Sequence, residues 1–265
     1  MKPAFFMSSP KFFRVEYVTN VWMKGMKKVQ LPKARSQWAK VKKALKKHGK
    51  VFVLKTKPNL PDQVFAANVG IINGRTFLAS NFRYPQRREE SYWAQQWFKT
   101  HKYKVVRIPE KTKFEGMGDT IFIDNKTVAL GYGFRSSKQA KKHVEKTGIK
   151  VDLHLNLVDA RFYHLDTCFV VLPGKVALYY PKAFSRTSQK AIKNYFTKRI
   201  PVLSKDALHF VCNGVPVGNI YVTCKLSSQL KNKLKMHGIK PLELDMSEFL
   251  KSGGAVRCIV LDLIH

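Results

Sequence analysis

Five times along the chain a lysine-rich polar stretch with helical spacing breaks off and a short apolar run follows. The breaks read Lys46-Lys-His-Gly49-Lys-Val-Phe-Val-Leu54, His101-Lys-Tyr-Lys-Val-Val-Arg-Ile108, Lys146-Thr-Gly148-Ile-Lys-Val-Asp-Leu153, Lys198-Arg-Ile-Pro-Val-Leu203 and Met236-His-Gly238-Ile-Lys-Pro-Leu-Glu-Leu244. Cations in a last helical turn suit the negative end of the helix dipole, and a following glycine can take the left-handed conformation that ends the helix. The apolar runs begin near Val51, Val105, Val151, Val202 and Leu242, a spacing of 40 to 54 residues. A period of that size is a supersecondary repeat.

Ahead of each of the last four helical stretches lie two strand-like runs joined by a tight turn. They cover residues 64–72 with 76–79, 120–123 with 127–130, 168–172 with 176–180, and 209–212 with 219–223. Asn73-Gly74, Asp124-Asn125 and Pro173-Gly174 supply hairpin chemistry at the first three. In the first unit a strand over 13–17 precedes a helix over 33–48, and a run over 259–264 is left over to complete it. The expectation is an α/β fold, a five-bladed propeller of ββαβ modules with pseudo-fivefold symmetry, forming a single domain over residues 1–265. A doubly wound sheet is the alternative, but no Gly-rich phosphate loop marks any strand-to-helix turn.

Apolar residues at 45% and aromatics at 12% are those of a globular chain. No apolar run reaches the roughly 20 residues a membrane span needs, and the first residues lack a signal-peptide core. Cys168, Cys212, Cys224 and Cys258 form no C-x-x-C pair, so neither a zinc site nor a disulfide framework is expected, and a reducing cytoplasmic setting follows. The formal net charge of +32, from 49 Lys and Arg against 17 Asp and Glu, favours polyanions. The lysines are spread over every helical stretch, without an arginine-rich tail or nucleic-acid motif, so any nucleic acid would be met only through this general basic surface.

Acids being scarce, their placement is informative. Four stand in compact turns: Asp62 in Pro61-Asp62-Gln-Val-Phe-Ala-Ala-Asn68, Glu115 and Asp119 in Phe114-Glu115-Gly-Met-Gly-Asp119, and Asp166 in His164-Leu-Asp166-Thr. Cys258 follows a Ser252-Gly-Gly turn. Each has an ordinary reading: a buried cysteine packs as a small hydrophobe, a Glu-Gly-x-Gly-Asp turn is turn chemistry, and His-x-Asp is a structural pair. Brought together in a ring, they describe carboxylates around a thiol and an imidazole, a site for a cation attacked by a thiolate.

The segments Tyr17-Val-Thr-Asn20-Val-Trp22-Met, 61–68, 114–119, Gly131-Tyr-Gly-Phe-Arg135-Ser, His164-Leu-Asp166-Thr, Phe210-Val-Cys-Asn213 and Ser252-Gly-Gly-Ala-Val-Arg-Cys258 span nearly the whole chain. In them the chain resembles the guanidine-modifying enzyme superfamily of dimethylargininases, arginine deiminases, arginine dihydrolases and glycine amidinotransferases. The resemblance implies a five-bladed α/β propeller and a hydrolase of linear amidines working without cofactor or metal on a small guanidino substrate, arginine or a methylarginine. It implies Cys258 as nucleophile, His164 as general acid and then base, and Glu115 and Asp166 on the guanidinium nitrogens with Asp62 and Asp119 beside them. It further implies Arg87 and Arg135 on the α-carboxylate, and Asn20 and Asn68 where the dihydrolase branch has site asparagines. A planar, permanently charged guanidinium suits paired carboxylates, and one histidine titrating near neutrality can serve both half-reactions.

Two departures stand out. Val21 replaces the proline of the superfamily's Asn-Pro-Trp-Met, which alters only local stiffness. Asn68 stands where dimethylargininases and arginine deiminases carry an acid, which opens the choice between citrulline and ornithine as end product. An amidinotransferase would need an acceptor-amine pocket that nothing in the sequence indicates. A polyanion-binding protein on the same scaffold leaves the gathering of rare acids with Cys258 and His164 unexplained. Assembly into a homo-oligomer stays open.

Overall fold

The computed structural model describes residues 3–263. The chain starts in β1 (Ala4–Ser8), a strand buried along its whole length, and crosses through the helix Leu31–Lys46 to β2 (Lys50–Leu54), which lies parallel to it and is largely solvent-facing. The helix turns Ala34, Val41 and Leu45 inward at helical spacing, so its lysines stay in water.

The next four units repeat one pattern. A hairpin is followed by a helix and by a third strand parallel to the hairpin's second strand. The second unit is β3 (Gly70–Asn73), β4 (Thr76–Ala79), the helix Arg88–Thr100 and β5 (Lys104–Arg107). The third is β6 (Thr120–Phe122), β7 (Thr127–Tyr132), the helix Ala140–Glu145 and β8 (Lys150–Asn156). The fourth is β9 (Phe169–Leu172), β10 (Val176–Tyr179), the helix Arg186–Tyr195 and β11 (Arg199–Pro201). The fifth is β12 (Val215–Val217), β13 (Ile220–Thr223), the helix Ser228–Met236 and β14 (Lys240–Glu243). The helices of the last two units start on serine caps: Ser185 accepts from the Ser188 N–H and Ser227 from the Leu230 N–H. The chain returns as β15 (Leu261–Asp262), which pairs antiparallel with β1 and gives the first sheet the same three-strand order as the others. Among the described residues, fifteen strands thus make five three-stranded sheets, each mixed in direction.

Four expected strands are corrected by the structure. Residues 13–17 form no strand: Pro10 closes β1, the Pro10 carbonyl accepts from the Phe13 N–H in a tight turn, and Phe13 stacks on Phe249. Residues 64–69 run through two 3-10 turns, Pro61–Val64 and Ala66–Val69, joined by Phe65 and burying Asp62, Gln63 and Asn68; the strand starts only at Gly70. Residues 209–212 form a turn with Phe210 in the left-handed region (φ 57°), and the hairpin strand is Val215–Val217. Finally, the run over 259–264 is a strand only in β15 (Leu261–Asp262): Ile259 ends the 3-10 turn Arg257–Ile259 that holds Cys258, and Ile264 lies outside the described residues.

Candidate active site

The chemistry-bearing residues occupy one recurring place: the turn that leads into the first strand of a sheet. Asp62 and Asn68 precede β3, Glu115 and Asp119 precede β6, His164 and Asp166 precede β9, Asn213 precedes β12, and Cys258 precedes β15. These turns pack on one another. Ala66–Val69 touches both Arg257–Ile259 and Gly116–Asp119, and Gly116–Asp119 touches Leu165–Thr167. Close packing requires two of the glycines. A Cβ at Gly254 would strike the Phe65 ring, and one at Gly118 would strike the Asn68 amide nitrogen and the His164 ring, which therefore face each other across that gap.

Asn213 clamps the thiol. Its Oδ1 accepts from the N–H groups of Ala255 (3.1 Å) and Cys258 (3.3 Å). Its Nδ2 donates to the Asp166 carbonyl (3.1 Å) and to Cys258 Sγ (3.2 Å). The Cys258 thiol in turn donates to Asp166 Oδ2 at 3.4 Å. Burial, followed by the Asp166 charge, pushes the Cys258 thiol well above its usual range, and burial lifts the Asp166 carboxyl to about 7. The resting pair is therefore a protonated thiol beside a carboxyl group that titrates near neutrality.

His164, buried, bonds through Nε2 to Glu115 Oε2 at 2.8 Å. The same oxygen accepts from Arg135 Nη1 at 2.9 Å, while Oε1 accepts from the Arg83 N–H at 3.1 Å. Burial alone would raise Glu115, but Arg135 and His164 overcome it and hold the carboxyl far below the usual range. Arg135 also donates to the Thr19 carbonyl and lies against the rings of Tyr84 and Tyr163. The Tyr163 hydroxyl donates to the Gly253 carbonyl at 2.7 Å, tying this arm to the loop before Cys258. A cavity of about 280 Å³ opens here, lined in part by Thr19, Lys24, Tyr84, Arg135 and Tyr163.

Several residues expected on the guanidinium, on the α-carboxylate or among the site asparagines have their polar atoms engaged within the protein. Glu115 has both oxygens engaged, so it serves the imidazole and Arg135. Asp119 spends Oδ2 on the backbone and hydroxyl of Ser136 and Oδ1 on the Leu165 N–H, although burial lifts its carboxyl to about 6. Asn20 caps the turn Val21–Met23 with Oδ1 and donates from Nδ2 to the Ser252 carbonyl, stitching two loops together. Arg87 is buried in a two-pronged pair with Glu90 (2.9 and 2.8 Å) and donates to Asn68 Oδ1 at 3.2 Å. Burial raises Glu90 to about 7, with Arg87 opposing it.

The atoms left open are informative. Asp62 Oδ1, Asp166 Oδ1 and Asn68 Nδ2 are buried and find no hydrogen-bond partner among the described residues. Buried polar atoms normally have partners, so the two carboxylate oxygens are acceptors available to a planar cation, whereas the Asn68 amide offers N–H donors, which a guanidinium cannot accept. Burial also lifts the Asp62 carboxyl, with Arg87 opposing, and suppresses ionisation of the neighbouring Tyr17 phenol. Among the described residues no three His, Cys, Asp or Glu side chains are grouped as a metal site. Sequence reasoning assigned no role to Asn213, Glu90 or Tyr163. Asn213 could have been found from the repeat, since it alone fills the turn position in the fifth unit.

A buried thiol, an imidazole held by a carboxylate, and two further carboxylates with open oxygens define a guanidine-modifying hydrolase, an enzyme acting on C–N bonds of amidines. The chain belongs to the family described as eukaryotic N,N dimethylarginine dimethylhydrolase, whose profile matches residues 4–265. It is 38% identical over 259 residues to the bifunctional arginine dihydrolase/ornithine cyclodeaminase ArgZ of Synechocystis, covering 96% of this chain but only 37% of that protein's length. It is 34% identical to the N(G),N(G)-dimethylarginine dimethylaminohydrolase of Mycobacterium tuberculosis, over 97% of this chain and 84% of that one. The solved N-terminal domain of ArgZ, a cysteine-to-serine mutant bound to substrate, superposes with a TM-score of 0.97 at 36% identity, covering 99% of this chain and 98% of that one. No helix among the described residues is long and apolar enough to cross a membrane.

Proposed function

We propose that the five sheets are the blades of a five-bladed α/β propeller of ββαβ modules, acting as one catalytic domain. We propose further that it hydrolyses the guanidinium of L-arginine twice, giving ornithine, two ammonia and carbon dioxide. The single observation that carries the second step is Asn68, an amide with a free N–H₂ group beside His164 where the citrulline-forming branches of the superfamily carry an acid. The likeness to ArgZ, an arginine dihydrolase, supports the same reading.

Asp62 and Asp166 grip the guanidinium nitrogens with their open oxygens, and Arg135, at the cavity, takes the α-carboxylate. The bound cation stabilises thiolate over thiol at Cys258, offsetting the burial that otherwise keeps the proton on sulfur, and the thiol proton is released to solvent as the substrate binds. Sγ attacks the guanidinium carbon. As the C–N bond breaks, the protonated imidazole of His164 passes its proton to the departing nitrogen, leaving a Cys258 thiouronium and ammonia. The now neutral His164 takes a proton from water, whose oxygen attacks the same carbon and expels the thiolate, giving citrulline. A second attack by Cys258 on the ureido carbon, with a second ammonia released and a second water consumed, leaves a carbamate that loses carbon dioxide to give ornithine. Glu115, bonded to Nε2, keeps the imidazole oriented through the first transfer.

The family profile favours a second reading, dimethylargininase, in which dimethylamine leaves and citrulline is final. Mass spectrometry of products from L-arginine and from asymmetric dimethylarginine, offered in parallel, separates the two. Ornithine from arginine supports the dihydrolase, whereas citrulline with dimethylamine from the methylated substrate alone supports the dimethylargininase. Cys258→Ser is expected to abolish turnover while the protein stays folded; undiminished activity would sink either reading.

A further inference from the structure

We infer that Glu90, on the first turn of the helix Arg88–Thr100, is a positioning residue for the second hydrolysis, acting through Arg87 to set the amide of Asn68. The inference rests on the arginine dihydrolase reading. Glu90 is fully buried, and both its oxygens accept from Arg87, Oε1 from Nε at 2.9 Å and Oε2 from Nη2 at 2.8 Å. A two-pronged bond of this kind fixes the plane of the guanidinium as well as its position. The remaining prong, Nη1, then meets Asn68 Oδ1 at 3.2 Å.

A guanidinium has five N–H donors and no acceptor, so the amide can present only its oxygen to Arg87. Its Nδ2 is thereby turned the other way, where it has no partner among the described residues and shares the space over Gly118 with the His164 ring. With Glu90 in place, Asn68 offers two N–H donors beside the imidazole that activates water. Without it, Arg87 is a buried cation lacking its partner, and the next acceptors within reach belong to Asp62, whose carbonyl already lies 3.5 Å from Nη2. Reorienting toward Asp62 would free the Asn68 amide to turn over, leaving its oxygen beside His164.

The test uses the full chain with L-arginine, and separately with L-citrulline, with citrulline and ornithine quantified together by mass spectrometry. For Glu90→Gln, which keeps the shape but presents an amide to the cation, the ornithine-to-citrulline ratio is expected to fall about tenfold or more, as for one misplaced charge-assisted contact. The loss of arginine itself should fall by less. The ratio is the decisive readout, because both products come from the same folded molecules and a loss of folded protein leaves it unchanged. Should Glu90→Gln not fold, the paired replacement Arg87→Met with Glu90→Leu removes both charges together, a change that buried pairs tolerate better than loss of one partner. A lowered ratio in either variant supports the inference. An unchanged ratio, with the wild type making ornithine, overturns this inference alone; a wild type that makes no ornithine overturns the dihydrolase reading with it.

Discussion

Asn213→Ala tests most directly whether the thiol is held by its neighbours. The wild-type side chain makes four hydrogen bonds, two accepted from the N–H groups of Ala255 and Cys258 and two donated to Asp166 and Cys258 Sγ. All these groups are buried, so truncation strands two N–H donors and one carbonyl. A stranded buried group costs about 1–3 kcal/mol, though a water entering the space left by the amide would recover part of it. A destabilisation of about 2–5 kcal/mol follows, and at about 2–4 °C per kcal/mol for a domain of this size it lowers Tm by roughly 5–15 °C. The turn Arg257–Ile259 also loses its anchor to Asp166, and a thiol displaced by about 1 Å costs on the order of 100-fold in rate. Thermal unfolding followed by circular dichroism, together with steady-state turnover at a temperature where the variant is folded, measures both effects. A Tm within about 2 °C of wild type and a rate within about twofold would refute the clamp.

Other consequences are open to the same methods. The Asp166 carboxyl, raised to about 7 in the fold from an ordinary 3.8, holds a proton that the unfolded chain has already lost between those values. The folded state therefore binds more protons, and stability falls as pH rises through that window. Asp166→Asn should remove this loss and raise Tm at pH 8 relative to wild type while abolishing arginine turnover; a Tm lower at pH 8 than wild type would contradict it. Among the described residues, seven of the 17 acids are buried against three arginines, so the exterior is more positive than the formal charge of +32 suggests. That field repels a cationic substrate, and added salt should lower KM by screening it; a KM that rises with salt would count against this electrostatic picture.

Much of the architecture was legible in the chain because its signals are local. Lysine-rich helix ends, the glycines behind them and turns such as Asn73-Gly74 depend on backbone conformation and charge within a few residues, so the five-fold repeat of hairpin, helix and parallel strand could be read directly. Even the closure of the first sheet by the last strand followed from counting which unit lacked a strand. The misplaced strands at 64–69 and 209–212 are apolar runs that tertiary packing buries while the backbone turns, and an apolar run alone does not distinguish such a turn from a strand. At 13–17 only Phe13 is buried, and the chain there follows the turn after Pro10.

The candidate site divides along the same line. Residue types and spacing, set in a ring of repeated modules and joined to the family resemblance, suggested that scarce acids, a histidine and a cysteine converge on one centre. Their division of labour was decided only by the fold. Glu115 looks as able to grip a cation as Asp62 or Asp166, until Arg83, Arg135 and His164 are seen to occupy its oxygens. Arg87 looks like an anion binder until Glu90, three residues on, closes over it. A sequence records which side chains are present, but hydrogen-bonding capacity is used up pair by pair across separations of 3 to 232 residues. Which lone pairs and which N–H groups remain for a substrate is therefore a property of the tertiary structure.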